Sequence, residues 1–205
     1  MQNNKGSAPL LTAMLVLTGF VVLLVGYGSS LLQARTATIS FDAGHTIGTS
    51  NQAIIGLHAA DLDKDNDLDL IVGGGPDSNF EISVWQNDGM PFSGSWNHQM
   101  AASLTSYAYR VTTADLDNDG HLDIVSGAEK GEDFEIIALR NDSTPFDGAW
   151  QQQDVGASPD NCNQVVAGDL DKDGDLDLVS GCSWREDYSV MAWINDGTPF
   201  DGTWT

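Results

Sequence analysis

Residues Asp169–Asp177 read DLDKDGDLD, and two earlier stretches repeat them almost letter for letter: DLDKDNDLD over Asp61–Asp69 and DLDNDGHLD over Asp115–Asp123. Asp61, Asp115 and Asp169 are spaced 54 and again 54 residues apart, so the chain carries an internal period without insertions. A fixed period of this length is the signature of a repeat architecture. Every copy has aspartate at relative positions 1, 3, 5 and 9, and position 6 is Asn66, Gly120 or Gly174. Carboxylates this close repel one another unless a hard cation sits among them, and an all-oxygen set suits Ca²⁺, which takes about six to eight oxygens. Position 6 must turn sharply, which glycine does freely and asparagine tolerates. Position 7 then offers its backbone carbonyl, which leaves its side chain free to drift from Asp67 to His121 to Asp175.

An EF-hand begins in the same way but needs a bidentate glutamate at position 12 and a helix on either side. Position 12 here is Val72, Ser126 or Ser180, and LDLIVGG, LDIVSGA and LDLVSGC follow the acids as short apolar strands. An ion-free acidic turn would have to recur three times in register. Each repeat reads as four strands: one before the loop (Ala53–Ala59, Tyr109–Ala114, Val165–Gly168), one directly after it, and a third beginning at Phe80, Phe134 or Tyr188. The turn clusters NDGMPFSGSW, NDSTPFDGAW and NDGTPFDGTW follow from Asn87, Asn141 and Asn195, and Trp96 and Trp150 open an outermost strand. Phe92, Phe146, Phe200 and the tryptophans recur in every repeat, which suits packing between repeats better than a single binding site.

A D-x-D-x-D-G-x-x-D loop between two short strands, followed by an apolar run into glycine, resembles the FG-GAP or VCBS-type repeat of integrin α-subunit β-propellers and many secreted proteins. The resemblance covers about Phe41 to Thr205. It implies an all-β β-propeller segment of three four-stranded blades, over about residues 41–95, 96–149 and 150–205, within a domain spanning 35–205. Three units do not comfortably close a ring, since propellers usually have about four to eight blades, so a larger propeller with further blades is expected, the alternatives being an open arc and self-association of copies. Carried over by position, the resemblance gives Asp61, Asp63, Asp65 and Asp69 as side-chain ligands of a first Ca²⁺, with the carbonyl of Asp67. Asp115, Asp117, Asp119, Asp123 and the His121 carbonyl would hold a second, and Asp169, Asp171, Asp173, Asp177 and the Asp175 carbonyl a third. The expected load is about three Ca²⁺ per chain.

Composition narrows the function. The 205 residues carry 30 acidic against 8 basic side chains, a formal net charge of −22. Such a surface repels nucleic-acid phosphates, and no basic stripe reverses it. Six tryptophans and 22 glycines fit a turn-rich β protein. Residues 1–34 are read apart from the repeats: Lys5 precedes an uncharged apolar run from Leu10 to Gly28, expected to be helical and to act as a signal peptide or signal anchor. Either way the repeats are expected outside the cytoplasm, at or beyond the cell surface, where disulfides persist.

Cys162 and Cys182 flank the third loop, and folding it about Asp173 places them nearly opposite each other across a hairpin. A disulfide is expected there, worth on the order of 3 kcal/mol in the loop-entropy model. His45, His58, His98 and His121 are scattered, and no G-x-S-x-G or isolated carboxylate pair appears, so a non-catalytic module is expected. The alternatives are the non-catalytic part of a secreted polysaccharide-active enzyme and a structural spacer. The expected partner is an extracellular protein or glycan. Loop tips that vary on a rigid scaffold usually carry recognition, which points to Lys130, Trp184 and Arg185, with Tyr107, Tyr109 and Arg110 as a second non-repeated patch.

Overall fold

The structure is a computed structural model that describes residues 16–17, 20–21, 43–75, 80–104, 107–130, 133–148, 150–158, 162–184 and 187–205. The chain divides into two compact units, Met1–Ala43 and Gly44–Thr205. In the first, the described residues are Val16–Leu17 (β1) and Phe20–Val21 (β2), paired antiparallel. The run expected to be a helix is therefore strand, not helix, at its described residues; the rest of it lies outside the described residues, as does Arg185. No helix among the described residues is long and apolar enough to cross a membrane.

The second unit is all-β. Its strands are Ala53–Ala60 (β3), Asp69–Gly75 (β4), Phe80–Gln86 (β5), Asn97–Leu104 (β6), Ala108–Ala114 (β7), Asp123–Lys130 (β8), Asp133–Arg140 (β9), Gln151–Ser158 (β10), Cys162–Gly168 (β11), Asp177–Trp184 (β12) and Asp187–Trp193 (β13). They form three antiparallel meanders: a first sheet β3-β4-β5-β6, a second β7-β8-β9-β10 and a third β11-β12-β13. The four-strand expectation holds for the first two, whereas the third has three. Sheet boundaries also fall later than the blade boundaries read from the period. Asn97–Leu104, placed by the sequence reading in the second blade, pairs with β5, so the first sheet runs on to Leu104. The period locates equivalent residues, and hydrogen bonding decides where one sheet stops.

Side-chain alternation along each strand builds two cores. On β9, Ile137 and Leu139 point into a cluster shared with the first sheet, where Leu62, Ile71, Ile82 and Val84 are buried. Ile136 and Ala138, one residue out of phase, point into the opposite cluster with Val165, Leu178 and Trp193 of the third sheet. The second sheet is therefore covered on both faces, which is why IIAL of β9 is apolar throughout. Trp150 belongs to the first cluster and Phe200 to the second, with Phe146 against the first and Trp204 against the second, so these recurrent aromatics pack between sheets as expected, whereas Phe92 is exposed.

Cys162 and Cys182 are register partners on β11 and β12, beside a bulge between Cys162 and Gln164. The facing geometry is as the sequence indicates, with the two buried sulfurs 2.7 Å apart. Burial, with Cys182 beside it, pushes the Cys162 thiol up to about 11, which keeps the thiolate needed for exchange scarce at neutral pH.

Candidate metal centre

Each acidic loop joins the first two strands of its sheet, and the same backbone trick shapes all three. Position 4 takes a left-handed conformation at Lys64 (φ 64°), Asn118 (φ 56°) and Lys172 (φ 68°), and position 6 does so at Asn66 (φ 75°), Gly120 (φ 88°) and Gly174 (φ 102°). Two such residues two apart curl the chain so that its N–H groups point back at the acids. Asp65 N donates to Asp61 Oδ1 at 3.1 Å and Asn66 N to Asp61 Oδ2 at 3.1 Å. The N–H groups of Asp67, His121 and Asp175 donate to position 5, Asp65, Asp119 and Asp173, at 2.8, 2.8 and 2.9 Å. The requirement at position 4 had no counterpart in the sequence reading, because lysine and asparagine there carry no conformational signature as plain as glycine.

The ninth-position aspartates are the innermost. Asp69, Asp123 and Asp177 are buried, and each receives a backbone N–H on both oxygens. Leu62, Leu116 and Leu170 donate to Oδ2 at 3.0, 2.9 and 2.9 Å, and Asn87, Asn141 and Asn195 donate to Oδ1 at 3.0, 2.8 and 3.0 Å. Burial pushes the Asp69 carboxyl up to about 6 and the Asp123 carboxyl up to about 7; the N–H donors oppose this, and nearby aspartates add to it. Desolvation followed by the charges of Asp173, Asp177 and Asp169 also raises Asp171.

In every loop, positions 1, 3 and 9 converge. Asp61, Asp63 and Asp69 bring one carboxylate oxygen each to within 4.8 Å of the others, as do Asp115, Asp117 and Asp123, and Asp169, Asp171 and Asp177. Position 5, committed to the position-7 N–H, lies outside these triads. Asp115 Oδ1 is buried and accepts no hydrogen bond, as expected of an oxygen shaped for an ion. A donor set of carboxylates alone fits a hard cation.

The second layer differs between loops. Gln86 Nε2 donates to Asp63 Oδ2 at 3.0 Å in the first, whereas Arg140 Nη2 stands 2.7 Å from Asp117 Oδ2 in the second, its guanidinium over Phe200. Ile194 occupies the equivalent place in the third and contributes no charge.

Sequence reasoning treated Asn87, Asn141 and Asn195 only as turn residues, yet two of them tie the sheets together. Asn141 Nδ2 donates to Leu62 O and Asn195 Nδ2 to Leu116 O, each at 3.0 Å, so these two turns grip the loop of the preceding sheet, whereas Asn87 Nδ2 donates to Leu68 O of its own sheet. Their recurrence on the same period as the aspartates was the available signal. Lys130 and Trp184 end β8 and β12, while Tyr107 and Tyr109 stack with ring centroids 5.5 Å apart, a packing contact.

Fold and loops together define an all-β repeat protein with one acidic, cation-competent loop in each principal sheet. Residues 61–126, from the start of the first loop into β8, match the model of the FG-GAP-like repeat family. That stretch is similar to an FG-GAP-like repeat. No curated protein matches the chain.

Proposed function

We propose that the protein is an exported, calcium-stabilised β-propeller module that displays variable turns for recognition of an extracellular protein or glycan, without catalytic activity. The observation that carries this reading is the threefold convergence of aspartates 1, 3 and 9, each triad gathering its oxygens within 4.8 Å. Ca²⁺ is the cation that such hard, partly flexible oxygen sets suit at extracellular concentrations, and the FG-GAP-like match accords with it. The ion neutralises carboxylates that strain the loop and so fixes the start of each hairpin; the carbonyls of Asp67, His121 and Asp175 and the carboxylates of Asp65, Asp119 and Asp173 complete the shells. At free Ca²⁺ about tenfold to a hundredfold above Kd, each site adds roughly 1.4 to 2.7 kcal/mol.

Three of the four histidines support a non-catalytic reading, while the Nδ1 of the fourth, His121, is buried without a hydrogen-bond partner. His58 Nε2 is hydrogen-bonded to Thr113, His98 stacks on Trp85 and His45 lies against Phe92, all packing roles. Calorimetric titration with CaCl₂ tests the proposal. About three ions are expected to bind, and Asp169→Asn with Asp171→Asn together should remove one and lower the melting temperature. Unchanged stoichiometry in that variant would refute the ligand assignment.

A further inference from the structure

The two junctions between neighbouring sheets carry the same notch beside an acidic loop. Each notch is walled by position 3 of one loop and by five consecutive residues of the next sheet's turn: Asp63 with residues 143–147, and Asp117 with residues 197–201. These positions correspond across one period of 54, and Thr144, Pro145, Phe146 and Asp147 recur as Thr198, Pro199, Phe200 and Asp201. The notches differ in what fills them. Arg140 lies among the walls of the second, its Nη2 2.7 Å from Asp117 Oδ2 and 3.8 Å from Asp119 Oδ2, with the guanidinium 5.8 Å from the centre of the Phe200 ring. One period earlier stands Gln86, whose amide N–H goes to the equivalent oxygen, Asp63 Oδ2, and brings no charge.

Volume and burial record the difference. The first notch encloses about 290 Å³ and the second about 190 Å³. Phe200 is buried, whereas Phe146 is only partly so. In the second notch the guanidinium is held by two attractions that suit it, a charge-assisted hydrogen bond to a carboxylate and the face of an aromatic ring. The first notch offers both an acid and a ring, and no cationic side chain of the described residues is among its walls.

We infer that the first notch, built from Asp63, Phe146 and Asp147, binds an arginine side chain of a protein partner, laid against Phe146 and the acids as Arg140 is laid against Phe200 and Asp117. The inference rests on the reading of the protein as a recognition module and gives its protein partner a chemistry. Arginine suits the notch better than lysine because its planar fork meets carboxylate oxygens and stacks on a ring at once. A bound ion leaves the attraction in place: Asp61, Asp63, Asp65 and Asp69 carry four negative charges against two on Ca²⁺, and Asp147 adds a fifth. The second notch is closed to the same ligand because Arg140 occupies it.

The test titrates the full chain with the blocked tripeptide acetyl-Gly-Arg-Gly-amide and follows protein resonances by NMR. Salt at about 0.15 M screens diffuse attraction to the acidic surface. Shifts are expected around Phe146 and not around Phe200. Gln86→Arg, which copies the second notch into the first, should weaken binding about tenfold or more, and Arg140→Gln, the reverse copy, should add shifts around Phe200. The citrulline analogue should not bind, and the lysine analogue should bind more weakly. Phe146→Leu is expected to show the same loss and serves should Gln86→Arg fail to fold. Shifts spread over the acidic surface, equal binding of lysine and arginine, or unchanged affinity in these two variants overturns the inference. Titrations with CaCl₂ and with chelator keep the two readings apart: ions bound without peptide overturn the notch alone, and peptide bound by a chain that takes no ions overturns the calcium reading alone.

Discussion

The second and third sheets have nearly the same sequence in their loops and inner strands, yet their surroundings differ sharply. Leu116 is sealed beneath the third sheet and its carbonyl is held by Asn195, whereas Leu170 is exposed. Asp115 and Asp117 are partly covered, whereas Asp169 and Asp171 are open to water. Gly127 lies so close to the third sheet that a Cβ would meet Cys162 O at 2.7 Å, while nothing stands near the equivalent Gly181. A repeat unit here is therefore not a self-sufficient body. The motif dictates the loop, and the next sheet dictates how dry and how rigid it becomes.

The sharpest way to break this comparison is to truncate the two leucines. Leu116→Ala empties a packed site between sheets and is expected to cost about 3 to 5 kcal/mol in chemical denaturation. Leu170→Ala, at an exposed position, should change stability by less than about 1 kcal/mol. Equal losses would mean that the third sheet is as well covered as the second.

The next effect is a reversal with pH. Burial holds the folded pKa of Asp69 near 6 and of Asp123 near 7, above the ordinary carboxylate value, so the ion-free native state binds protons more tightly than the unfolded chain. That contribution is fully present below about pH 4 and is lost as pH rises through the folded values. With chelator, the melting temperature should fall by several degrees between pH 5 and pH 8. With saturating Ca²⁺ the trend should invert, because protons and ions compete for the same oxygens. A chelated protein that melts higher at pH 8 than at pH 5 would contradict the burial argument.

The smallest effect concerns Arg140. Its guanidinium, about half exposed, lies against Asp117 and so competes with any cation in the second loop. Arg140→Gln, which restores the side chain found at Gln86 of the first loop, is expected to tighten Ca²⁺ at that site by about threefold to tenfold, with the discount that exposure imposes on charge pairs. Isothermal titration resolved by site, using the first loop as internal reference, measures it; a weakened second site would show that Arg140 supports the loop instead.

Much of this was legible in the sequence because the signals were periodic. Three copies of one acidic loop at a constant spacing indicated the β repeat, and the succession of short strands indicated four strands in each. The sulfur pair was placed from hairpin arithmetic alone, and Cys162 does face Cys182. What the sequence hid were facts about neighbours. The strand Asn97–Leu104 looks as much like the opening of one repeat as the close of another, and only its ladder to β5 decides. The division of the acids into a converging triad and a position-5 group engaged with the backbone depends on left-handed residues at Lys64, Asn118 and Lys172, which no composition rule marks. Arg140 and Ile194 occupy equivalent positions, but their distance from the acids becomes meaningful only in three dimensions.

The asparagine side chains that reach back from one turn to the preceding loop have a consequence for how the ions are felt. Asn141 touches the first loop through Leu62 O and the second through Leu122 O and its own N–H to Asp123. An ion filling one loop would therefore be expected to stiffen the latch of the next, so that occupancy would be coupled along the row like a zip fastener. Leu170 O accepts no such latch among the described residues, so the turn asparagine that holds the third loop is its own Asn195, through Leu176 O and Asp177.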